Sequence, residues 1–178
     1  LGASGRDLLE AFLVGLEVEC KLGQFTGQET FDVGWHGTTT LGVIGAAAGV
    51  GRLMGLDVTA MRRAIGIAVS QACGVRQNFG TMTKPLHVGR AAESAILAVE
   101  LVRRGFTASE TGIEGMFGYW DMFGGPLSRD GDALAEAMGN PFDVIKPGIH
   151  FKIYPCCSST HAAVDSALQV TGGLSAEA

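Results

Sequence analysis

The chain has 178 residues, 47% of them apolar and 17% charged, with a formal net charge of −5. That balance excludes a disordered polymer, which combines low hydrophobicity with high charge, and the lack of any dense Lys/Arg run argues against nucleic-acid binding. The longest apolar run, Leu41 to Gly51, is closed by Arg52 and falls short of the roughly 20 residues that span a bilayer.

The spacing predicts a first helix over Asp7–Lys21. Leu9, Phe12, Leu13, Leu16 and Cys20 share one face, Glu10, Glu17 and Lys21 stay off it, and Ser4 is the N-cap. A second helix, Thr39–Leu53, is small or apolar on nearly all sides, which marks it as buried. Gly49 and Gly51 fall late in that helix, so they read as close helix packing and not as a phosphate-binding turn. A third helix, capped by Asp57 or Thr59, runs to Cys73 with Met61, Ile65, Ala68, Val69 and Ala72 inward. After a polar interruption at 74–83, a fourth helix starts at Pro85, a residue suited to the first helical position, and ends at Arg104 before Gly105. Leu86, Ala91, Ala95, Leu97, Val99 and Val102 form its apolar part. The segment 115–120 reads as an aromatic loop, with the aromatic stretch Phe117 to Phe123 expected as core or interface, Asp132–Met138 as a short helix and His150–Tyr154 as a strand. A last helix, capped by Ser159 or Thr160, extends to Val170.

His36, Lys84 and Lys152 stand at or near helix starts, Lys84 being pushed out of helical geometry by the proline that follows it. His87 lies close to the face of Lys84, and His161 falls in the first turn of the last helix. Helix N-termini expose unpaired N–H groups and a positive dipole end, so cationic groups placed there suit anions. Several such ends converging would suit a substrate with two or three carboxylates. Gln77 and Thr83 are candidate polar groups of the same pocket, or loop caps. Four histidines without paired spacing do not make a metal site. The four cysteines, Cys20, Cys73, Cys156 and Cys157, show no C-x-x-C spacing and read as free thiols in a reducing cytoplasm. Cys156 and Cys157 are expected to be buried packing residues, with a thiol nucleophile near His161 as the alternative.

Three segments belong together: Trp35-His36-Gly-Thr-Thr-Thr-Leu-Gly, then Gly80-Thr-Met-Thr-Lys84-Pro-Leu-His87, then Phe151-Lys152-Ile-Tyr-Pro-Cys-Cys-Ser-Ser-Thr-His161. In this order they closely resemble the MmgE/PrpD family of dehydratases, decarboxylases and epimerases of small carboxylic acids, over about Leu8 to Val170. The resemblance implies a mainly α, multi-helix protein, with residues 1–148 part of an all-helical domain and residues 149–178 the beginning of an α+β lid domain. It further implies that the chain is the central part of a longer, dimeric protein that uses no metal or organic cofactor. The expected activity is that of a lyase, of dehydratase or decarboxylase type, moving a proton next to a carboxylate of a small di- or tricarboxylic acid. An epimerase or isomerase of a dicarboxylate and a catalytically incomplete helical fragment are the alternatives. Position by position, His36, Lys84 and Lys152 match the family's pocket histidine and lysines and are the expected catalytic residues, with His87, Thr83, Gln77 and His161 as substrate contacts. Gly37 stands where the dehydratase and decarboxylase branches usually carry Pro, and Trp35 where they tend to carry Phe, so neither branch's substrate is carried over.

Overall fold

A computed structural model describes residues 2–124 and 130–172. The chain divides into two compact units, Leu1–Pro147 and Gly148–Ala178. The first is built from α1 (Gly5–Thr26), α2 (Glu29–Asp32), α3 (Gly37–Thr40), α4 (Gly42–Leu53), α5 (Val58–Val69), α6 (Thr83–Arg103), α7 (Tyr119–Phe123) and α8 (Gly131–Ala137). The second carries α9 (His161–Val170), led in by one tight turn at Ser158–Thr160. The fold is thus mainly α-helical. Among the described residues no helix is long and apolar enough to cross a membrane.

The start of α1 follows from its sequence. The Ser4 hydroxyl accepts from the Asp7 N–H at 3.2 Å, and the Asp7 carboxylate accepts from the Ser4 N–H at 2.8 Å, a reciprocal cap. The helix runs five residues past its expected end and stops at Gly27, whose φ of +82° a side chain would resist. Its buried face is not the expected one. Leu9 and Phe12 are 65% and 56% exposed, whereas Glu17 and Lys21, expected outside, are each only 5% exposed. The inward face toward α4 is instead the stripe of Ala11, Gly15 and Glu19, because the two helices cross at their glycines. A Cβ on Gly45 would lie 2.7 Å from the Gly15 carbonyl oxygen and from Glu19 Cβ, and one on Gly49 would lie 2.9 Å from the Ala11 oxygen. Gly45→Ala therefore has to push α1 off α4. We expect it to destabilise the fold by about 1–3 kcal/mol, read from the urea unfolding midpoint; an unchanged midpoint would mean the crossing is loose.

Glu17 and Lys21 are buried because the chain returns to them. Lys21 Nζ donates to Asp143 Oδ1 at 3.0 Å and to the Pro141 carbonyl at 3.2 Å. Glu17 accepts the N–H groups of Gly139 and Asp143 at 2.8 and 2.7 Å, and Gln24 Nε2 donates to Asp143 Oδ2 at 2.9 Å. This clasp fixes the segment after α8 against α1.

The core proper joins Leu22, Val43, Ile44 and a set of alanines on α4, α5 and α6 to Tyr119 and Trp120. The last two are buried, as expected of the aromatic stretch, but they open a helix, α7, where a loop is expected. The expected Thr39–Leu53 helix starts earlier and is divided at Leu41 into α3 and α4. The Thr39 hydroxyl donates to the His36 carbonyl at 2.8 Å, a local bond of the kind that competes with a regular helical ladder. Within α5, Ala64, Gly66 and Ala68 are the buried residues. The helix ends at Val69 and not at Cys73, because the chain turns there to meet the segment around Trp35.

Among the described residues the one pairing of strand type is an isolated antiparallel bridge, Trp35 with Val75. The expected strand at His150–Tyr154 is irregular backbone, since it has no partner to complete a ladder. No sheet or lid domain is formed by the described residues. Cys156 and Cys157 are exposed thiols and not packing residues; their loop lies on the outside of a unit with few buried side chains.

Candidate active site

Two chain segments distant in sequence are stitched together at 34–36 and 74–76. The His36 N–H donates to the Gly74 carbonyl at 3.0 Å, and the Arg76 N–H donates to the Gly34 carbonyl at 2.8 Å. Gly74 has φ +101°, and a Cβ there would sit 2.5 Å from the Thr39 hydroxyl and 3.4 Å from the His87 ring. Only glycine lets the strap pass this close. The stitch presents His36 as the residue that opens α3, with extended backbone, and its carbonyl receives the N–H groups of Thr39 and Thr40.

His36 and His87 are both buried, and their Nδ1 atoms are 2.9 Å apart. An N···N contact of this length needs one N–H donor and one lone pair. At least one ring is therefore neutral, and the pair carries no more than one positive charge. The neutral pair has two arrangements that satisfy it. If His36 donates, its Nε2 is left with a lone pair and is a base. If His87 donates, His36 Nε2 carries the proton and is an acid. A pair of this kind can hold or give up a proton at one defined atom.

The Phe79 ring stands edge-on to His36, with centroids 4.8 Å apart, and the Lys84 ammonium lies 4.7 Å from the same ring. Lys84 is in the first turn of α6, which starts at Thr83 and not at Pro85. Proline is tolerated there because the first turn's N–H groups have no intrahelical acceptor. Lys84 is thereby held in helical geometry, contrary to the displacement expected from the proline. Burial, then the charges of His87 and Lys84, push the His36 pKa below its ordinary value of 6.5.

The sign of the resulting pH dependence is fixed. With His36 depressed in the fold, the unfolded chain binds the proton more readily, so its stabilising contribution is complete above pH 6.5 and is lost on acidification below it. Urea unfolding across that window is expected to show a steeper acid loss in wild type than in His36→Gln. Equal slopes would mean that His36 titrates alike in both states.

Of the other expected residues, Thr83 opens α6 beside Lys84, and Gln77 is exposed on the turn Arg76–Asn78. Neither side chain hydrogen-bonds to the histidine pair. Lys152 and His161 belong to the second unit. There Lys152 is exposed, and the His161 ring stands edge-on to Tyr154 at 5.2 Å. Tyr154 donates to Asp165, and this bond pushes its pKa up. Phe79 and Gly74 were not singled out in the sequence. An aromatic residue inside an otherwise polar interruption was the available signal for Phe79. Among the described residues no three His, Cys, Asp or Glu side chains gather as metal ligands do.

Two of the three matched segments lie in this helical unit, where they place His36 against His87 and Lys84 beside the Phe79 ring. Residues 1–130 match the MmgE/PrpD N-terminal domain, and the chain belongs to the MmgE/PrpD family. It is 33% identical to the cis-aconitate decarboxylase of Homo sapiens over 98% of this chain and 36% of that protein. It is 32% identical to the Mus musculus enzyme of the same name, over 94% of this chain and 34% of that protein. Identity to the Aspergillus terreus cis-aconitate decarboxylase is 29%, over 95% of this chain and 36% of that protein. The chain thus spans about a third of the length of the curated relatives it matches.

Proposed function

We propose that this chain forms part of a lyase, of dehydratase or decarboxylase type, acting on a small di- or tricarboxylic acid by moving a proton at a carbon next to a carboxylate. The observation that carries the reading is the buried His36–His87 pair with Lys84 across the Phe79 ring. A proton next to a carboxylate is weakly acidic, because its removal adds charge to a group already anionic. A cation held at that carboxylate offsets the new charge. Lys84 takes this role. Lys152, assigned from its place in the matched segment, binds a second carboxylate, and Thr83, Gln77 and His161 complete the contacts.

His36 is the acid/base group. Its depressed pKa keeps a lone pair available near neutral pH, and His87 fixes which ring nitrogen carries it. An epimerase shares the proton movement next to a carboxylate but expels no water or CO2 and returns a proton to the opposite face; the departures at Trp35 and Gly37 favour keeping that reading. We further propose a homodimer without a cofactor. The second unit is proposed as the first part of a lid, and four cysteines without C-x-x-C spacing fit the proposed cytoplasmic location.

The test is proton NMR in D2O of the full-length protein with citrate-, aconitate-, tartrate- and aspartate-like acids. Deuterium entering next to a carboxylate, a new alkene or loss of CO2 is expected with at least one. The absence of all three with every acid would end the enzyme reading.

A further inference from the structure

We infer that a second face of the histidine pair is a binding site for a small oxyanion, a carboxylate or phosphate, whose occupancy sets which arrangement the pair adopts. A cavity of about 550 Å³ opens beside His87, between the segment 70–75 and α6. This is the size range of small-ligand pockets, roughly 300–1,000 Å³. Its polar lining includes Gln71, Asn78, His87, Arg90 and Ser94, along with the Thr39 hydroxyl and the Cys73 thiol, and no Asp or Glu lines it. In a chain of net charge −5, a cavity holding a guanidinium and several N–H and O–H donors without a carboxylate is matched to an anion.

His36 and Lys84 do not line this cavity. It is therefore separate from the Lys84 side of the pair, where the substrate carboxylate is proposed. Glu93 takes one of Arg90's five N–H groups, and Glu93 also lies outside the lining. His87 and Ser94 are 8% and 7% exposed and so largely withdrawn from bulk water, whereas Ser70 and Arg90 are exposed.

The link to the pair follows from valence. His87 Nδ1 is committed to His36, so the ring nitrogen left for a cavity ligand is Nε2. A carboxylate, like the ionised oxygens of phosphate, accepts and does not donate. In the neutral pair it therefore selects the form of His87 protonated on Nε2, whose Nδ1 is the acceptor. His36 must then donate through its own Nδ1, which leaves His36 Nε2 with the lone pair. Within the neutral pair the bound anion thus sets His36 as a base. This coupling rests on the proposed role of His36, whereas the binding itself does not.

The test is titration of the full-length protein with inorganic phosphate and, separately, malonate, followed by calorimetry and by ¹⁵N NMR of labelled histidine. Saturable binding is expected, with His36 Nε2 moving toward the unprotonated shift. Arg90→Gln should weaken binding about tenfold or more, the worth of one charge-assisted hydrogen bond. Lys84→Ala should leave phosphate binding intact. Arg90 lies on the exposed side of α6, so its replacement leaves the core untouched. No saturable binding overturns the site. Binding lost in Lys84→Ala and kept in Arg90→Gln moves the anion to the substrate side and likewise overturns it, with the proposed reaction still standing. Binding at Arg90 without a histidine shift overturns the coupling. If deuterium exchange fails while phosphate binds as expected, the reaction falls and the anion site remains.

Discussion

Lys84→Ala in the full-length protein is expected to lower kcat/KM by about a thousandfold, at the upper end of what one charge-stabilising donor contributes. Its fold should survive. The Lys84 ammonium makes no ion pair among the described residues, and its one aromatic contact is to Phe79. A cation over a ring at a partly exposed site is worth only about 0.5–1 kcal/mol. Alanine in the first turn of α6 is also a better helix former than lysine. The measurement pairs steady-state kinetics with the melting temperature. Lys84→Gln, which keeps length and polarity without charge, should lose nearly as much activity. Turnover retained by both variants, with an unchanged Tm, would remove Lys84 from the reaction.

The largest effect on stability is expected at Lys21. Lys21→Met leaves the Glu17 and Asp143 carboxylates buried beside each other without the cation between them, Lys21 Nζ standing 3.9 and 3.0 Å from their oxygens. Removing one partner from a buried ion network costs about 3–5 kcal/mol, because the remaining charge is left unneutralised. Asp143→Asn, which removes a charge and keeps a hydrogen-bonding side chain of the same shape, should cost less. Urea unfolding of both variants decides it. A Lys21→Met loss below about 1 kcal/mol is what an exposed pair gives, and it would mean that water reaches the clasp.

The helix boundaries set by short-range chemistry were legible in the sequence. Ser4 and Asp7 cap α1, Asp57 caps α5 by accepting the Ala60 N–H at 2.8 Å, and Gly105 follows the last turn of α6. The buried faces were less legible. An apolar stripe made Leu9 and Phe12 the inward face of α1, but Ala11 and Gly15 win it, because backbone contact across a glycine crossing excludes bulk that a hydrophobicity pattern rewards. Glu17 and Lys21 looked like solvent residues because the group that neutralises them, Asp143, lies more than a hundred positions away. The candidate site shows the same division. His36, Lys84 and His87 could each be picked out at a helix start, but the 2.9 Å contact between the two rings depends on the stitch at 34–36 and 74–76, which is tertiary. The extra α6 residues Thr83 and Lys84 were missed because Pro85 was read as a start signal, although a proline is accepted anywhere in the first turn.

That stitch gives the chain an uneven tolerance to changes of length. Gly74 must deliver its carbonyl to His36 and Val75 must face Trp35, so the count of residues between the end of α5 and Gly74 is part of the site's register. One residue more or fewer there would rotate the pairing and carry His36 away from His87, whatever its chemical character. The exposed positions Gly80 to Met82 make hydrogen bonds only to near neighbours in the chain, and additions there can loop into solvent. In this part of the fold, spacing is under as tight a constraint as residue identity.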